Sequence, residues 1–215
     1  MHFYHDRIAF VRANTRPVAV AGLEPLRLYL ADELTPIWEA TEADFGARKL
    51  APPFWAFAWA GGQGLARHVM AHPETVRGKC VLDIACGSGI VGIAAVLAGA
   101  SHVLVNDLDP MCEAAAALNA ELNGVKLGWR GGDLLDNPPM GVDVILAGDT
   151  FYEKPMADRF IAFLMRMKGA GAAVFAADPG RAYAPVGLAL RGKYEVSTSL
   201  AIENAESKTV KVWEV

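Results

Sequence analysis

Four aspartates and a run of glycines carry the chemistry that this sequence suggests. Asp83 stands near the end of a short apolar run begun by Val81 and Leu82. Glycines follow at 87, 89 and 92, and apolar residues then continue at helical length to Leu97. That order reads as strand, Gly-rich turn, helix. Such a turn aims backbone N–H groups and the positive end of a helix above the strand's carboxyl end, where open α/β sheets bind ligands.

Two ligand classes compete for the turn. Gly87-Ser-Gly89-Ile-Val-Gly92 satisfies the bare dinucleotide fingerprint, and Asp107 follows at about the 20-residue spacing of a ribose-binding acid. Asp83 argues for the other class. A carboxylate just before the glycines would face a pyrophosphate at short range, and like charges there are costly. S-adenosylmethionine carries no phosphate; its ammonium and sulfonium are groups that a carboxylate and turn carbonyls stabilise. The expected cofactor is therefore S-adenosylmethionine, with Asp83, Gly87 and Gly89 at the turn and Asp107 placed to accept both ribose hydroxyls.

The elements that must position these residues follow from apolar periodicity. A helix is expected from Glu24 to Glu33, with Leu26, Tyr29 and Leu30 on one face. Pro52-Pro53-Phe54-Trp55-Ala-Phe57-Ala-Trp59-Ala-Gly61-Gly62-Gln63 sets aromatics ahead of a glycine-rich helix start, either as core or as a rigid turn presenting ring faces to a ligand. A Trp face there could stack on a sulfonium or an alkylammonium. A second strand spans 101–106, and Asp109 before Pro110 reads as an N-cap with proline at the first helical position. A third strand is expected at 125–129, followed by a turn that supplies Asp133, and a fourth at 142–147, after which come Asp149, Tyr152 and Glu153. Beyond these the pattern gives a helix at 155–168, a strand at 170–177, a turn at Asp178-Pro179-Gly180-Arg181, a helix to Arg191 and strands at 194–200 and 207–215. The sum is an α/β fold, a mostly parallel sheet with one antiparallel strand.

At 215 residues the chain suits one sheet domain with an appendage: a helical extension over 1–50, then an S-adenosylmethionine-binding domain over 51–215. Its three cysteines lack disulfide or zinc spacing, so reduced thiols and no metal are expected. Twenty basic against 24 acidic residues, with no basic cluster, leave no electrostatic footprint for nucleic acid. No apolar run is long enough for a bilayer, and the first residues have no secretory core, which points to a bacterial-type cytoplasm.

Val81-Leu-Asp83-Ile-Ala-Cys-Gly87-Ser-Gly89 resembles the first motif of the seven-stranded methyltransferases, with Ala85 where many members have a glycine. With Phe54 to Gln63, Asn106-Asp107-Leu-Asp-Pro110, Gly148-Asp149-Thr-Phe-Tyr152-Glu153 and Asp178-Pro-Gly-Arg181, the chain resembles one branch, the protein-lysine methyltransferases that act on the electron transfer flavoprotein β subunit. Asp149-x-x-Tyr152 matches the element that follows the fourth strand in lysine methyltransferases rather than a nucleic-acid one. The resemblance implies a Rossmann-like seven-stranded sheet with helices on both faces. It also implies Trp59 and Gln63 at the cofactor, Asp133 accepting from the adenine amino group, and a monomer acting on a protein substrate. That substrate would be the flavoprotein β subunit, with ribosomal protein L7/L12 as a candidate second one.

On this reading Asp149, Tyr152 and Glu153 are the catalytic residues. A solvated lysine, with a pKa of about 10.4, is neutral roughly once in a few thousand molecules at pH 7. Desolvation among aromatics lowers that value, whereas Asp149 alone would raise it. Asp149 is thus expected to capture and orient the ammonium, Tyr152 to orient the amine, and Glu153 to share in docking. A small-molecule N-methyltransferase and a non-catalytic S-adenosylmethionine-binding partner share the same cofactor motifs and stay open at this point.

Overall fold

The computed structural model describes residues 2–33, 36–40 and 52–215. In chain order they form α1 (His2–Asn14), β1 (Arg16–Ala19), β2 (Arg27–Leu30), α2 (Ala60–Ala71), β3 (Cys80–Ile84), α3 (Ile90–Leu97), β4 (His102–Asn106), α4 (Pro110–Leu122), β5 (Gly128–Trp129), β6 (Val144–Gly148), α5 (Lys154–Gly169), β7 (Ala173–Asp178), β8 (Ala189–Ser197), α6 (Leu200–Glu203) and β9 (Ser207–Glu214).

Seven strands lie in the order β5-β4-β3-β6-β7-β9-β8. β3 to β7 pair in parallel, and β9 runs antiparallel to both β7 and β8. Order reverses between β3 and β6, so their carboxyl ends open a crevice there. Side-chain alternation sorts the core into two layers. Val81, Val144, Leu146, Phe175 and Ala177 face α2, α3 and α4, while Leu82, Ile84, Ile145, Ala147 and Val174 face α5 with Phe160, Phe163 and Leu164.

The expected helix from Glu24 to Glu33 is instead the second arm of an antiparallel hairpin, Arg16 opposite Leu30 and Ala19 opposite Arg27. Leu26 and Leu28 are fully buried with exposed Arg27 between them, the period of a strand. Its outer backbone edge is satisfied from α4: Asn119 Oδ1 accepts from Tyr29 N at 2.7 Å, and Asn123 Oδ1 accepts from Arg27 N at 2.9 Å. Partners supplied from far along the chain outweigh the helical spacing. The hairpin joins the same apolar core as the sheet through Val20, Leu23, Leu26 and Leu28.

The expected helix leading to Arg191 is likewise absent. Residues 182–188 are turns, with Pro185 removing a donor and Gly187 at φ 76°, and β8 begins at Ala189. The third strand is only Gly128–Trp129, and Leu200 belongs to α6 rather than to a strand. The boundary expected near residue 50 lies outside the described residues. Among the described residues no helix is long and apolar enough to cross a membrane, and no group of His, Cys, Asp and Glu could hold a metal ion.

Candidate active site

A cleft of about 500 Å³ lies at the carboxyl ends of β3, β4 and β6. Asp83, Gly87, Asp107, Asp133, Asp149, Tyr152 and Trp59, seven of the residues singled out from the sequence, border it. Gly89 sits just behind, as the left-handed N-cap of α3 at φ 80°. A Cβ there would lie 3.0 Å from the Ala116 Cβ of α4, so close packing as well as backbone conformation asks for glycine. Ala85 takes φ 56°, the left-handed region that glycine occupies more readily.

Each acid is already tied to backbone. Asp83 is buried, and its Oδ2 accepts from Gly92 N at 2.8 Å; burial pushes its carboxyl up to about 7, Gly92 opposing and the Asp107 charge adding. Asp107 accepts from Gly87 N at 3.0 Å and Asp109 N at 3.1 Å, which locks the glycine turn to the end of β4. Asp109 caps α4 by accepting from Met111 N, the N-cap that the sequence suggested. Asp133 accepts from Leu135 N and from Arg159, whose hydrogen bond above all holds its carboxyl low.

Asp149 lies in the left-handed region at φ 58°, which turns its side chain back under α2. It accepts from Gly62 N at 2.7 Å and pairs with Arg181. Burial pushes its carboxyl up, and Arg181 is the main opposing influence. The glycine-rich start of α2 is thereby explained, because Gly61 and Gly62 lie directly against Asp149 and the end of β6. Tyr152, partly exposed, has its ring 5.7 Å from that of Phe54, which is 5.5 Å from Trp59; burial raises the Tyr152 phenol.

The aromatic segment divides between its two readings. Trp55 is fully buried core, whereas Phe54, Phe57 and Trp59 border the cleft. Two expected site residues stand elsewhere. Gln63 is buried with its amide donating to Ala58 O at 2.7 Å and Ser197 O at 3.0 Å, so it ties two loops beside a smaller second cavity. Glu153 is exposed at the N-cap of α5, outside the cleft lining, because the chain has by then turned outward to begin the helix. Arg181 and Glu203 border the cleft and had no role from the sequence; the only sign was Arg181 within Asp178-Pro-Gly-Arg181.

The lining fits S-adenosylmethionine. Six carboxylates border a volume suited to an adenosyl group, and the two lining cations, Arg181 and Lys208, are each paired with acids, which leaves no free charge for a pyrophosphate. Thr150 Oγ1, buried at the cleft wall, has no partner among the described residues, leaving a polar group for a ligand.

Residues 70–148 match the family model described as "Ribosomal protein L11 methyltransferase (PrmA)". The electron transfer flavoprotein beta subunit lysine methyltransferase of Xenopus laevis is 39% identical over 168 residues, 75% of this chain and 68% of that protein. The protein of the same name from Rattus norvegicus is 36% identical over 80% of this chain and 68% of its own. Among solved structures, a Pyrococcus horikoshii protein aligns with a TM-score of 0.58 at 15% identity, over 77% of this chain and 89% of the other. A tRNA (uracil-54, C5)-methyltransferase of Pyrococcus abyssi in complex with S-adenosyl-L-homocysteine aligns with a TM-score of 0.50 at 16% identity, over 70% and 38%. These two show the fold.

Proposed function

Because the chain belongs to the electron transfer flavoprotein beta subunit lysine methyltransferase family, and so is an S-adenosylmethionine-dependent methyltransferase with a protein substrate, we propose that it methylates lysine side chains of the electron transfer flavoprotein β subunit. Ribosomal protein L7/L12 is the proposed second substrate. The observation that carries the lysine reading is the aromatic rim of Phe54, Trp59 and Tyr152 beside the partly buried Asp149 at the end of β6.

Cofactor binding falls to the glycine turn with Asp83, to Asp107 for the ribose and to Asp133 for the adenine, with Trp59 as a wall. Bound there, S-adenosylmethionine supplies an electrophilic methyl group. The chain's own residues prepare the amine. Asp149 draws the ammonium into the cleft, the three rings exclude water and so favour the neutral amine, and the Tyr152 hydroxyl orients the nitrogen. Asp149 performs this while held by Arg181 and Gly62, which makes it an orienting anion rather than a mobile base.

The N-terminal segment over 1–50, whose hairpin packs on α4, and a methyltransferase domain over 51–215 are the proposed division of the chain. A monomer in a bacterial cytoplasm is the proposed setting; three free cysteines, Cys86 and Cys112 buried with thiols raised by burial, suit a reducing compartment. Purified protein incubated with methyl-labelled S-adenosylmethionine and each purified candidate substrate tests the proposal. The expected label lies on lysines, read by mass spectrometry, and Asp149→Ala abolishes it while retaining cofactor binding. Label found only on small molecules would overturn the proposal.

A further inference from the structure

Asp149 belongs to a buried charge cluster larger than the D-x-x-Y element. Arg181 Nη1 donates to Asp149 Oδ1 and, at 3.1 Å, to Asp178 Oδ2, and Nη2 lies 3.6 Å from Glu203 Oε1. Lys208 Nζ donates to Glu203 Oε2 at 2.6 Å. The Asp178 side chain is fully buried, and those of Glu203 and Asp149 are 5% and 15% exposed. Three carboxylates thus share two cations, one positive charge short. The start of α2 helps through Gly62 N–H to Asp149 and Ala60 N–H to Glu203, yet a helix N-terminus is worth only about half a charge. An uncompensated buried charge is costly unless a counter-ion reaches it. This cluster opens on the cleft, which Asp149, Arg181, Glu203 and Lys208 all border.

Resting on the lysine reading above, we propose that Arg181 is the positioning residue of the reaction: by spanning Asp149, Asp178 and Glu203 it fixes Asp149 at the cleft wall and leaves the cluster one unmet negative charge that takes up the substrate ammonium. The guanidinium fork suits this task, since it serves acids from three elements: the loop after β6, the end of β7, and α6. The charged groups acting on Asp149 are Arg181 and Glu203; Arg181 in turn meets Asp178 and Glu203 meets Lys208, Tyr152 borders the same cleft, and α2 offers Asp149 the Gly62 N–H. With Arg181 removed, the buried carboxyl loses its counter-charge, takes a proton more readily and no longer attracts an ammonium.

The experiment combines carboxyl ¹³C NMR titration of Asp149, assigned with Asp149→Asn, with steady-state kinetics on the protein substrate. Arg181→Gln is expected to raise the Asp149 midpoint by about one to three pH units, and to raise the KM for the protein substrate roughly tenfold or more at pH 7, one pH unit of lost ionisation being a factor of ten. The Kd for S-adenosylmethionine should stay within about twofold, far below that tenfold scale. Arg181→Lys restores the midpoint while recovering only part of the KM. Glu203→Gln moves the two readouts apart: the Asp149 midpoint falls, because a like charge is gone, yet KM still rises because the deficit is gone. A merely structural part for Arg181 would not give opposite midpoint shifts in the two variants. Unmoved midpoints, or a kcat loss with unchanged KM, would overturn the inference in an enzyme whose wild type methylates protein. A wild type that methylates no protein would overturn the lysine reading and this inference together.

Discussion

Gly61 and Asp149 meet so closely that a Cβ on Gly61 would lie 2.7 Å from the carboxyl carbon of Asp149 and 2.8 Å from Ala177 O. Neither neighbour can give way cheaply, one being a buried ion-paired side chain and the other the backbone of β7. Gly61→Ala should therefore cost about 1–3 kcal/mol of stability by overpacking and displace Asp149 from Arg181. Methyl transfer should fall more than S-adenosylmethionine affinity does. Gly169→Ala, where a Cβ meets nothing within 4 Å, is the control and should leave the melting temperature nearly unchanged.

Asp83 gives cofactor binding a pH dependence. Its carboxyl is pushed up to about 7. A proton there competes with the cofactor ammonium for the ionised form, so S-adenosylmethionine affinity should weaken as pH falls below about 7, by at most about tenfold per pH unit. Isothermal titration across pH 5.5 to 8 measures the slope, and Asp83→Asn should flatten it.

His68 affects stability with the opposite sign from the raised acids. It is buried on α2, with Nδ1 2.9 Å from the Tyr194 hydroxyl and its ring 4.8 Å from that of His72. Burial, then the charge of His72, lowers its pKa to about 4. Unfolded chain takes up the proton near 6.5, so between about 6.5 and 4 the unfolded state binds more protons and stability falls as pH falls, by at most about 3 kcal/mol. Asp83 and Asp109, both raised, contribute the other way over part of that range. The His68 share is therefore read as the difference in urea midpoints between wild type and His68→Phe from pH 4 to 7. Wild type should lose ground steadily toward the acid end, and a flat difference would count against the assignment.

Leu28 tests whether the hairpin is structural. It is fully buried in the core shared with α4, so Leu28→Ala should cost about 2–5 kcal/mol in chemical denaturation. Val186→Ala, 93% exposed on the turn before β8, should stay within about 0.5 kcal/mol of wild type.

What could be read from the sequence was what is encoded locally. The turn from Asp83 to Gly92, the Asp109 cap and the run of β3, β4, β6 and β7 follow from residue type and period. The hairpin is not legible because Leu26, Tyr29 and Leu30 also fit a helical face, and its strand character is fixed by Asn119 and Asn123 some 90 residues away. The Asp149–Arg181 pair spans 32 residues and the Ala60–Glu203 bond 143, separations at which no spacing rule operates. Gln63 followed the aromatic motif into the expected cofactor set, but its amide is bonded to Ala58 O and Ser197 O beside the second cavity, and it is not part of the cleft lining.

That same amide joins Ala58, just ahead of α2, to Ser197 at the end of β8, three residues before the short helix that ends in Glu203. A genetic screen for inactive variants would recover Gln63 alongside the acids. Its phenotype would mimic a lost cofactor contact, because its amide holds together the two segments that lead into the cleft-lining Trp59 and Glu203.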